Sequence, residues 1–133
     1  MQNGNIPFRT MIDLVEAANR IGGDAPLVEG LDAHLYVRGQ HVYSGNTTHN
    51  HAQIAKAVDP SLYKALWESA GMPVTRLAPL LKTGIRELET NGDKYRHLDN
   101  KNNWGSVNHF LIFLWELYAA CIQNPRAHYM GHS

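Results

Sequence analysis

The chain has 133 residues, enough for one domain whose core closes without disulfide or metal. Apolar residues make up 44% and charged residues 18%, a globular balance that excludes wholesale disorder. Twelve basic side chains offset twelve acidic ones with no Lys/Arg cluster, so the positive footprint that duplex nucleic acid demands is missing.

Residues 8–21 read as an amphipathic helix on Met11, Leu14, Val15, Ala18 and Ile21, stopped by Gly22-Gly23. This N-terminal segment, 1–24, is expected to be an addition to a single domain spanning 1–133. Ala33 to Ser44 then reads as a β-hairpin with Gly39-Gln40 as its two-residue turn. That register pairs Val37 with Val42 and Tyr36 with Tyr43. The valines and Leu35 then face the core, while both tyrosines, Arg38 and His41 face outward. Two adjacent outward tyrosines serve either as a contact or stacking surface, or as ground covered by the N-terminal helix.

A short helix is expected from about His51 to Val58, capped by Thr48 or Asn50. Asp59-Pro60 opens another, with Leu62, Tyr63, Leu66 and Trp67 as its buried stripe and Gly71 beyond its end. Leu77, Leu80, Leu81, Ile85 and Leu88 mark a third, capped near Thr75, ended around Asn91-Gly92, and carrying Pro79 near its start. The last helix, about Trp104 to Gln123, is apolar on nearly all sides. Only His109, Glu116 and Gln123, seven residues apart, form a polar stripe. Such a helix is central to the domain or lies in a subunit interface. After Asn124-Pro125, residues 127–131 are expected to return as a short strand beside the hairpin. The fold class is therefore α+β and α-dominant: a small antiparallel sheet packed with four or five helices.

Catalytic signatures are absent. There is no Gly-x-Ser-x-Gly elbow, no pair of carboxylates in any candidate pocket, and no glycine-rich phosphate loop. Cys121, the single cysteine, sits in an apolar helical pattern and reads as a buried thiol of a reducing compartment. The N-terminus lacks a signal peptide's basic start and apolar stretch, and the longest apolar run, Phe110 to Trp115, is too short for a membrane span. A non-enzymatic protein without cofactor or metal is expected. A zinc hydrolase built on His49, His51 and His109 is a third reading, unsupported by any ligand-spacing motif.

The informative residues are two asparagine-rich junctions. Gly45-Asn46-Thr47-Thr48-His49-Asn50-His51 lies where strand gives way to helix, and Asn102-Asn103-Trp104-Gly105-Ser106 precedes the last helix. Asn, Thr and Ser at such places cap backbone groups. Brought together, they also form a neutral pocket, with Trp104 as a stacking platform and amides reading a base or sugar edge. The candidate ligand-binding set is Asn46, Thr48, His49, Asn50, Asn103, Trp104, Ser106 and His109.

The stretch from Tyr43 to Asn50, Leu62-Tyr63-Lys64-Ala65-Leu66-Trp67 and Asn102-Asn103-Trp104-Gly105 resemble a family of small, uncharacterised bacteriophage and prophage proteins. In that family a Thr-x-Asn element follows a strand. An Asn-Gly-Trp-Gly element precedes a helix that ends in Cys and an Asn/His-Pro pair. Thr48-His49-Asn50, Cys121 and Asn124-Pro125 match this pattern, whereas Asn103 replaces the usual Gly. The resemblance covers roughly residues 35–130 and brings no established activity. What it implies is a homo-oligomeric anti-defence protein of the host cytoplasm that sequesters a nucleotide-derived signalling molecule. The alternative is an inhibitor that binds a host defence protein through Tyr36, Arg38, His41 and Tyr43.

Overall fold

A computed structural model describes residues 30–48, 51–99 and 107–133. The expected N-terminal helix, His49, Asn50 and the whole Asn102–Ser106 junction lie outside the described residues. Four strands form one antiparallel sheet in the order β2-β1-β4-β3. They are β1 (Gly30–Val37), β2 (Gln40–Thr48), β3 (Ala70–Pro73) and β4 (His128–His132). The described residues also form α1 (His51–Val58), α2 (Pro60–Glu68), α3 (Val74–Asn91) and α4 (Val107–Gln123), with a 3-10 segment at Gly92–Leu98. This is the α-dominant α+β fold expected from the hydrophobic pattern.

Alternation builds the sheet. Leu31, Ala33 and Leu35 of β1 and Tyr129 of β4 point to one face and are fully buried. All the described helices pack on that face, because every sheet residue in the core cluster belongs to it. The hairpin differs from expectation in turn and register. Arg38 and Gly39, not Gly39-Gln40, form the turn, with φ of 53° and 80°. Both central residues in the left-handed region match the strand twist, at a cost for Arg38 that glycine escapes. The ladder then pairs Val37 with Gln40 and Tyr36 with His41, but Leu35 with Tyr43, leaving Val42 as the extra residue of a bulge. One inserted residue exchanges the faces beyond it. Tyr43 thus turns inward and Val42 outward, at 41% exposure, the reverse of the expected arrangement.

Helix boundaries follow local chemistry. Asp59 accepts the Ser61 N–H at 2.9 Å as N-cap of α2, with Pro60 in the first turn. α3 starts one residue earlier than Thr75, with Pro73 at its N-cap, so Pro79 falls in the second turn and forfeits one backbone hydrogen bond. Gly92 ends α3 by tightening into the 3-10 segment rather than by a left-handed cap. The Val107 N–H of α4 is capped by Asp99 Oδ1 at 2.8 Å. α4 lies at the centre of the domain, with Phe110, Phe113, Leu114 and Leu117 buried. It packs along α3 and reaches β2. The expected polar stripe of α4 breaks at Glu116, which is only 7% exposed and accepts the Tyr43 hydroxyl at 2.6 Å. β3 was not anticipated. Its four residues include Gly71 at φ 99°, and it pairs with β4 at the sheet edge.

Candidate ligand-binding face

The face of the sheet opposite the helices is a polar, aromatic surface, and strand register determines its composition. β1 contributes Asp32, His34 and Tyr36, which alternate with its buried leucines and alanine. β2 contributes Asn46 opposite Asp32, Ser44 opposite His34, and His41 opposite Tyr36. β4 contributes His132 opposite Asp32, Met130 opposite His34, and His128 opposite Tyr36. Four of the eight histidines therefore stand on one face.

The rings are organised. Tyr36 lies 5.3 Å from the His41 ring and 6.1 Å from the His34 ring, measured between centroids. His34 meets His132 edge-on at 5.8 Å, and its Nδ1 is 3.0 Å from His41 Nε2. Aromatic packing of this kind holds the rings over the strands. Asp32, Ser44 and Asn46 supply neutral and anionic hydrogen-bonding groups beside them, all exposed.

The expected binding set divides across the molecule. Asn46 and Thr48 stand on the open face. His109 is partly exposed on α4, which covers the other face of the sheet. His49, Asn50, Asn103, Trp104 and Ser106 lie outside the described residues. Thr47, between Asn46 and Thr48, points inward and hydrogen-bonds Nδ1 of His51, which is 1% exposed and packs 5.1 Å from the Phe110 ring. The junction thus has a structural half and a surface half. His34, Asp32, Ser44, His128 and His132 were missed as site residues. Their signal was present: His128 and His132, four apart, share a face in a strand as well as in a helix.

Several polar groups away from this face are held by the fold. Tyr43 is held protonated far above the ordinary tyrosine range, first by burial and then by the charge and hydrogen bond of Glu116. Burial alone pushes the Cys121 thiol up to about 12. The shallow concavity at the end of α3, lined in part by Asn91, Asp93, Lys94 and Arg96, satisfies its own charges: Arg96 Nε lies 2.8 Å from Asp93, and Lys94 3.5 Å from Glu87. Among the described residues, no three His, Cys, Asp or Glu side chains surround a single point, and no helix is long and apolar enough to cross a membrane. No family model matches the chain, nor does any curated protein or solved structure.

Proposed function

We propose that the chain is a non-catalytic binding protein that captures a small, nucleotide-derived molecule on the open face of its sheet. The resemblance of its motifs to small phage proteins supports a role in the evasion of host defence, in the host cytoplasm. One observation carries the reading: a Tyr36–His41–His34 ring cluster stands beside Asn46, Asp32 and Ser44 on a face that no described helix covers. Planar rings offer stacking, and the amide, carboxylate and hydroxyl offer in-plane hydrogen bonds to a base edge. Zero net charge favours one small ligand over a polyanion. Relative to the pocket expected at the two junctions, the site keeps Asn46 and Thr48 and gains the histidines.

Tyr36→Ala tests this most simply. The variant is expected to lose the captured molecule while its circular dichroism stays native; capture at wild-type level by a folded Tyr36→Ala protein overturns the assignment.

A second reading draws on the exposed end of the hairpin, where Arg38, His41 and partly exposed Tyr36 crowd together beside the edge strand β2. A host protein docking there replaces the small molecule as partner. Tyr43 leaves that surface, since its hydroxyl is committed to Glu116.

A further inference from the structure

His34 lies in the middle of β1 and His41 near the start of β2, opposite Tyr36 and so two pairing rows away along the ladder on the same face. Nδ1 of His34 faces Nε2 of His41 at 3.0 Å. That contact holds one proton, donated by one ring to the lone pair of the other. Metal–imidazole bonds of about 2.0–2.1 Å place two ligand nitrogens about 2.9 Å apart at a right angle and about 3.3 Å apart at the tetrahedral angle. The observed separation falls between these limits. A cation therefore fits between the rings once they turn about their side-chain bonds so that both lone pairs converge on it, with the strands unmoved.

The geometry points to a bidentate site for a borderline divalent cation, Zn2+, Ni2+ or Cu2+, on His34 Nδ1 and His41 Nε2. Imidazole nitrogen, rather than carboxylate oxygen, selects these ions over Ca2+ and Mg2+. On binding, the proton between the rings leaves through solvent to the distal nitrogen of its own imidazole, so both facing lone pairs become ligands and no redox change occurs. No third protein ligand surrounds the point among the described residues, which leaves the remaining coordination positions to water. The ladder fixes the two backbones, and the ring contact sets the nitrogens side by side before the ion arrives. The site stands on this geometry alone and does not require the small-molecule reading.

Zn2+ titration of the full, tag-free, metal-stripped chain tests it, followed by calorimetry and by the 15N shifts of the imidazole rings. The expected result is one equivalent bound, with shifts at His34 Nδ1 and His41 Nε2. His34→Ala and His41→Ala should each weaken binding at least about tenfold, while His97→Ala, on the exposed 3-10 segment away from the sheet, leaves it unchanged. Circular dichroism establishes that the variants are folded, and the wild-type ring shifts decide the question without them. Absence of heat and of ring shifts up to about 1 mM Zn2+ overturns the assignment, as does binding that survives both alanine variants.

Discussion

Replacing Tyr43 by Phe isolates one interaction at the junction of sheet and central helix. The ring keeps its place against the core, and only the hydroxyl that donates to Glu116 at 2.6 Å is lost. Glu116 is 7% exposed, so water replaces the missing donor poorly. A hydrogen bond to a charged group contributes about 1.5–3 kcal/mol, and Tyr43→Phe should destabilise by that amount. For a domain of this size the melting temperature then falls by roughly 5–15 °C. Gly45 supplies an internal control. A Cβ added there stands 2.6 Å from the Tyr43 hydroxyl and 3.3 Å from Glu116 Oε1. Gly45→Ala is therefore destabilising in the wild type and less so once the hydroxyl is gone. Urea unfolding of the wild type, both single variants and the double variant gives the coupling. Additive effects, or a Tyr43→Phe cost under about 0.5 kcal/mol, refute the arrangement.

Further outcomes follow from the same structure. Tyr43's pKa is raised on folding, so its contribution is fully present below about pH 10 and is lost as pH rises above it. Stability should fall less steeply in Tyr43→Phe, by about 1 kcal/mol between pH 10 and 11; equal slopes contradict the assignment. Cys121, its thiol pushed up to about 12 by burial, should resist iodoacetamide at pH 8 in the native protein and react after unfolding. Rapid native labelling would contradict that burial. Arg38→Asn should raise stability by about 1 kcal/mol, because Asn tolerates the positive φ of the turn better than Arg. A thermal melt showing destabilisation would mean that Arg38 makes a contact the turn geometry does not reveal.

Elements written in a repeating period were legible from the residues. The stripes of α1, α2 and α3, the Asp59 cap with Pro60, the hairpin strands and the returning β4 all carry their signal locally. What escaped depends on partners distant in sequence. The bulge at Leu35/Tyr36 has no local signature, yet it decides that Tyr43 faces Glu116, which lies seventy-three residues away. Glu116 in turn looked like part of a solvent stripe because helical period alone says nothing of a buried donor. β3 is too short to show a period, and Asp99 caps α4 from eight residues upstream. The candidate face was half visible. Asn46 and Thr48 were singled out for their type, while Asp32, His34 and the β4 histidines needed the strand order β2-β1-β4 to become neighbours.

The most direct test of the binding account is a native mass spectrum of the protein isolated from phage-challenged bacteria, beside that of Tyr36→Ala. The account predicts a mass increment of a few hundred daltons per protomer or per dimer on the wild type, absent from the variant. Subunits at their calculated mass in both samples would contradict it.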